Sequence, residues 1–137
     1  MNSGLVESLF TIDQAANNTS LVVEIEWRGR KLLFVGDAEQ KSWAFMAKNK
    51  DLQAVDFLKV GHHGSINATP PAPILEMVLP AARHSKALAL VSTCPCAWKS
   101  VPSDTALNAV ASRVRRLYDT RAVAPGSPVA IRFSGAT

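Results

Sequence analysis

Three short apolar runs punctuate the chain, "LLFVG" at 32–36, "DFLKV" at 56–60 and "ALALVS" at 87–92, and the sequence between them is helix-forming. This alternation constrains the fold more than any other feature, because strands separated by helices build a layered α/β sheet. The first run follows "SLVVEIEW" (20–27), rich in branched residues, and the Gly-containing "RGRK", which together predict a hairpin. "AEQKSWAFMAKN" (38–49) predicts a helix with Trp43, Phe45 and Met46 as its bulky apolar positions. Pro70, Pro71 and Pro73 open a brief helix through "ILEMVL", and Pro80 stops it. "ALALVS" carries no charge and is expected to be buried on both faces. From Ser103, an expected N-cap, the apolar stripe Ala106, Leu107, Val110, Ala111, Val114 and Leu117 predicts a helix over 103–117. "PVAIRF" (128–133) is expected to close the chain as a strand, paired with the segment around Tyr118 to Val123.

At 137 residues, positions 1–137 are expected to form a single domain around one core. Apolar residues at 47% and charged residues at 19% exclude the low-hydrophobicity, high-charge class of disordered chains. Fifteen Lys and Arg against eleven Asp and Glu leave a net charge of +4, which favours anionic substrates. The basic residues are scattered apart from Arg113, Arg115 and Arg116, read as a solvated helix face, so nucleic acid is compatible but not indicated. No run approaches the ~18 consecutive apolar residues of a membrane span. The start "MNSGLVESLF" lacks the basic and apolar regions of a secretory signal, and the expected location is cytoplasmic. Cys94 and Cys96, one residue apart, are too close for an ordinary disulfide and are expected to be reduced thiols.

Two strand ends present polar side chains in the same way. "LLFVGDAE" delivers Asp37 and Glu39 just past an apolar strand, and "DFLKVGHHGS" delivers His62 and His63. Ligands of open α/β sheets gather beyond strand ends, and Gly36 and Gly61 suit a sharp exit from a strand. Carboxylate and imidazole are ligand types for zinc, manganese or iron, although adjacent histidines on a strand point to opposite sides. The competing reading has Asp37 capping the following helix and His62 hydrogen-bonded in a loop.

The wider pattern carries a resemblance. "NNTSLVVEIEWRGRKLLFVGDAE" followed by "VDFLKVGHHGSINATP" resembles the C-terminal half of metallo-β-lactamase-fold hydrolases, especially the soluble hydrolase domains related to competence-type DNA-uptake proteins. "ALALVS", "VPSDTAL" (where the family usually has His-Pro-Ser) and "RLYDT" extend the similarity along nearly the whole chain. The resemblance implies half of an αββα sandwich, a mixed sheet with helices on one face. It implies that Asp37 bridges two metal ions, that His62 is a terminal ligand, and that His63, Gly64 and Ser65 shape the loop around them. Paired metals of this kind activate water for hydrolysis, here expected of phosphodiesters.

The family's His-x-His-x-Asp-His motif does not occur in these residues; the third histidine, His84, reads as a solvated loop residue, and Val101 stands where the family has histidine before Pro-Ser. A catalytic zinc takes three protein ligands and a water, so Asp37 and His62 fall short, and zinc or manganese is expected to be weakly bound or absent. The expectation is a hydrolase fragment or remnant that is not competent alone. The alternatives are one chain of a split hydrolase and a non-catalytic dimerisation or binding module. A serine-hydrolase reading of Ser65 fails because "GHHGS" is not a Gly-x-Ser-x-Gly elbow. Half a sandwich leaves a sheet face with Val22, Phe34 and similar residues uncovered, predicting a homodimer or a partner chain that supplies the missing half.

Overall fold

A computed structural model describes residues 19–94 and 100–133. Five strands form one mixed sheet in sequential order: β1 (Val23–Trp27), β2 (Arg30–Phe34), β3 (Phe57–Lys59), β4 (Leu88–Val91) and β5 (Arg116–Asp119). β1 and β2 are the predicted antiparallel hairpin, while β2 through β5 run parallel. Parallel neighbours require crossovers. Three are supplied by α1 (Gln40–Asn49), α2 (Ala72–Val78) and α3 (Asp104–Ala111).

The helices share one face. Trp43 of α1, Leu75 and Val78 of α2, and Leu107 and Val110 of α3 join Leu33, Leu58 and Ala89 of the strands in a single buried cluster. The protein is therefore an α/β fold with a mixed sheet and helices on one face, as the sequence predicts. Trp43 is fully buried, and its indole N–H donates to the carbonyl of Ala68 at 2.9 Å, which pins α1 to the loop after β3. Phe45, in contrast, faces solvent.

Side-chain alternation assigns the other face: Val23, Ile25 and Trp27; Leu32 and Phe34; Phe57 and Lys59; Leu88 and Leu90; Arg116 and Tyr118. Val22 is not among them. It packs with the helix-side core, which corrects the expected assignment of Val22 to the open face.

Two further corrections concern the C-terminal third. The helix predicted over 103–117 stops at Ala111, because β4 needs a parallel neighbour and Leu117 and Tyr118 serve better as strand residues. Ser103 is its N-cap, accepting from the Ala106 N–H at 3.4 Å. Residues 128–133 form no strand. They run extended, half-buried at Val129, Ile131 and Phe133 and exposed at Ala130 and Arg132. The Phe133 ring stands edge-on to Phe57, 6.3 Å between centroids, so this segment covers part of the open face instead of joining the sheet. Among the described residues no helix is long and apolar enough to cross a membrane.

Candidate functional site

The carboxyl ends of β2 and β3 meet. The His62 backbone N–H donates to the Gly36 carbonyl at 3.1 Å, and a Cβ on Gly61 would lie 3.0 Å from that same oxygen and 3.0 Å from the Val35 side chain. Gly61 is thus required for close approach of two chains. Gly36 is required for its left-handed φ of +53°. Asp37 and His62 consequently sit at neighbouring strand ends on one edge of the sheet.

Past Gly61 the chain turns through His62 (φ 40°), His63 (φ 54°) and Gly64 (φ 86°). Two successive L-residues with positive φ are strained, and such strain persists only where surrounding structure holds it. The holding contacts are visible at Gly64. A Cβ there would meet Pro102 at 2.9 Å, Val91 at 3.1 Å and Leu107 at 3.3 Å, and the Gly64 carbonyl accepts from the Ser103 N–H at 2.9 Å. The "VPS" segment therefore backs the turn, with Val101 joined to Pro102 by a cis peptide. Ser65 serves structure: its hydroxyl accepts from the Asn67 N–H at 3.3 Å.

The two histidine side chains have unlike surroundings. His63 Nδ1 lies 2.7 Å from the Ser92 carbonyl at the end of β4. A carbonyl can only accept, so Nδ1 carries the proton and, in the neutral ring, Nε2 keeps its lone pair. His63 is therefore the oriented imidazole, and it is exposed. Sequence reasoning placed it only in the supporting loop; its proximity to Ser92 leaves no sequence signal, since the two lie 29 positions apart. His62 Nδ1 is buried without a hydrogen-bond partner, and the carboxylate it approaches is that of Glu39, at 3.9 Å.

Asp37 donates its backbone N–H to the Ser20 hydroxyl at 3.1 Å. It does not cap α1, whose N-cap is Glu39 with no side-chain capping bond. The charged neighbour of Asp37 is Lys59. Burial pushes the Lys59 amine below its ordinary value, and the Asp37 carboxylate partly offsets that. Among the described residues no three or more of His, Cys, Asp and Glu converge as a metal-binding group. Cys94 is exposed and forms no disulfide among the described residues, Cys96 lies outside the described residues, and His84 is exposed. A cavity of about 240 Å³ lined by Val22, Leu33, Met46 and Leu52, with Glu24 and Asp51 at its wall, involves none of the strand-end residues.

No protein-family model matches the chain, and no curated protein matches it.

Proposed function

We propose that this chain is part of a metallo-β-lactamase-like, metal-dependent hydrolase of phosphodiester type, contributing strand-end groups without being competent for hydrolysis by itself. The observation that carries the reading is the junction of β2 and β3 at Gly36 and Gly61, which sets Asp37 beside a strained His62–His63–Gly64 turn. Backbone strain of this kind clusters at functional sites. The polar groups there are also incompletely used, with the buried His62 Nδ1 making no hydrogen bond and the His63 Nε2 directed by the ring's bond to Ser92.

Zinc or manganese is the metal such chemistry employs. The described residues do not fit a complete centre, because three protein ligands are needed and no group of three converges. The remaining ligands belong to polypeptide other than the described residues. A second reading, a binding module, is favoured by the exposure of Ile25, Trp27 and Phe34 on the open sheet face, a surface suited to a second copy or a partner chain.

The test is hydrolysis of bis(p-nitrophenyl) phosphate by the purified protein with added zinc or manganese. The expected rate is that of the metal blank. Turnover that Asp37→Ala abolishes would overturn the statement that these residues are not competent alone.

A further inference from the structure

β1 is an outer strand, with β2 on one side and no strand among the described residues on the other. Its hairpin turns through Arg28 (φ 50°) and Gly29 (φ 70°), so Trp27 and Arg30 form the closing hydrogen-bonded pair, followed by Ile25 with Leu32 and Val23 with Phe34. The N–H and C=O of Glu24 and Glu26 therefore point away from β2, and no described backbone group bonds to them there. An outer strand with such groups is a template for another strand. The two sides of this edge differ in chemistry. On the helix side lie the carboxylates of Glu24 and Glu26, and Glu24 stands with Asp51 at the wall of the cavity of about 240 Å³ that Val22, Leu33, Met46 and Leu52 line. Lys31, opposite Glu26 in register, donates to the Gln53 carbonyl, and the Gln53 amide donates to the Glu24 carboxylate. No ion pair joins Glu24, Glu26 or Asp51 to a described cation. The chain as a whole carries +4, so this acidity is local. On the other side of the edge Ile25 and Trp27 are exposed.

A long apolar stem that ends in an ammonium or guanidinium matches such a cavity, the stem on the apolar lining and the charge at the acidic wall. A second copy of β1 does not. Pairing it antiparallel along its whole length with β1 of another copy sets Glu24 against Glu26 twice, and like charges directly opposite are destabilising. From the free edge, the acid-walled cavity on one side of it and the exposed Ile25 and Trp27 on the other, we infer that β1 accepts a strand from a different polypeptide, one that alternates lysine or arginine with apolar residues. The basic side chains lie toward Glu24, Asp51 and the cavity, the apolar ones lie beside Ile25 and Trp27, and the backbone pairs with the outward groups of Glu24 and Glu26. The inference goes beyond the hydrolase reading and gives the binding-module reading a location. It concerns the edge of β1 and not the strand ends, so the hydrolysis assay and the binding assay fail independently.

The experiment titrates the full chain against a labelled, capped peptide, as long as β1, that alternates lysine and valine, and reads fluorescence anisotropy. Two control peptides separate the parts of the inference. One replaces lysine with glutamate and should bind at least about tenfold more weakly, because its charges meet like charges. The other keeps every side chain but is N-methylated at alternate residues, which removes the donors a strand needs, and should also lose at least about tenfold. On the protein, Glu24→Gln/Asp51→Asn should weaken binding of the lysine peptide by about fivefold, the worth of two exposed ion pairs. Both residues are exposed, so the variant should melt with wild type. Equal binding of the N-methylated peptide would overturn strand pairing. Equal binding of the glutamate peptide, or an unchanged affinity in the variant, would overturn the acidic wall as the selecting feature. Absence of binding by the lysine peptide would overturn the inference as a whole, and is the result expected if another part of the chain already occupies this edge. A self-associated wild type that the lysine peptide dissociates would show that β1 pairs with a second copy, against the inference.

Discussion

The parallel strands β2 to β5 have two ends, and the polar residues at each are handled in opposite ways. At the amino ends, Asp56 is 2% exposed and its carboxylate accepts from Arg83 at 2.8 Å, from Arg30 at 3.2 Å and from the Lys31 backbone N–H at 3.0 Å. Its own N–H donates to Lys31 and its carbonyl accepts from Leu88, so one residue laces β2, β3 and β4 together. At the carboxyl ends, His62 Nδ1 is buried without a hydrogen bond, and His62 and His63 hold positive φ. A satisfied, unstrained cluster is what stability selects; an unsatisfied, strained one indicates a different use. The amino ends hold the sheet, and the carboxyl ends are where the proposed function places its chemistry.

The sharpest way to break this comparison is to remove its stable half. Asp56→Ala strands two guanidinium groups and an N–H, and losing one partner of a buried ionic cluster costs about 3–5 kcal/mol. The Arg83 side chain is 35% exposed and can rehydrate, which places the expectation near the low end. Urea denaturation checks it. A loss below about 1 kcal/mol, the level of a surface ion pair, would make Asp56 ornamental and the contrast false.

The next effect tests whether the strained turn is truly clamped. Gly64→Ala adds a Cβ 2.9 Å from Pro102 at a φ of +86°, combining overpacking with a left-handed penalty. The expected destabilisation is about 2–4 kcal/mol, read by the same denaturation. A near-neutral result would mean that the "VPS" segment yields freely and does not hold the turn.

How much of this was legible beforehand differs between the two ends. The strand–helix alternation and the Gly-Asp and Gly-His-His exits were readable, because period and glycine placement are local signals. The fate of 112–133 was not. Leu117 fits a helical stripe as well as a strand, and only the need of β4 for a parallel neighbour decides between them. "PVAIRF" has strand composition, yet its half-buried residues and the Phe133–Phe57 contact show it lying across the sheet. Asp56 carries no local signal, because its partners Arg30 and Arg83 are 26 and 27 positions away. The pairing of His63 with Ser92 is hidden for the same reason, and the sequence reading accordingly puts His62, with Asp37, on the metal and His63 in the surrounding loop.

Smaller effects should separate the two histidines. His62→Gly relieves a positive φ and loses no ring hydrogen bond, so stability should rise by about 0.5–1 kcal/mol after allowing for the added backbone freedom of glycine. His63→Gly relieves the same kind of strain but forfeits the bond to Ser92, and should fall about 1 kcal/mol below His62→Gly. Thermal melts of the two variants side by side supply the comparison. If His62→Gly is the less stable of the pair, the buried Nδ1 has a structural partner and the carboxyl end is not the unsatisfied one.

The smallest effect is a pH dependence at the boundary between the open face and the carboxyl ends. Lys59 has its amine pushed below the ordinary 10.5, first by burial and against the opposing influence of Asp37. Between that lowered value and 10.5 the unfolded chain binds more protons than the folded one, so this group's contribution to stability rises with pH across the window. Below the lowered value the penalty of burying the charged amine is present in full. Lys59→Met removes it, so the variant should exceed wild type in stability at neutral pH, with the difference shrinking as pH climbs toward 10.5. Paired urea titrations at neutral and alkaline pH measure that difference. A gap that stays constant would assign the gain to methionine packing alone, and a wild type more stable than the variant at neutral pH would mean that the attraction of Asp37 outweighs burial, leaving Lys59 already paired with this chain's own strand end.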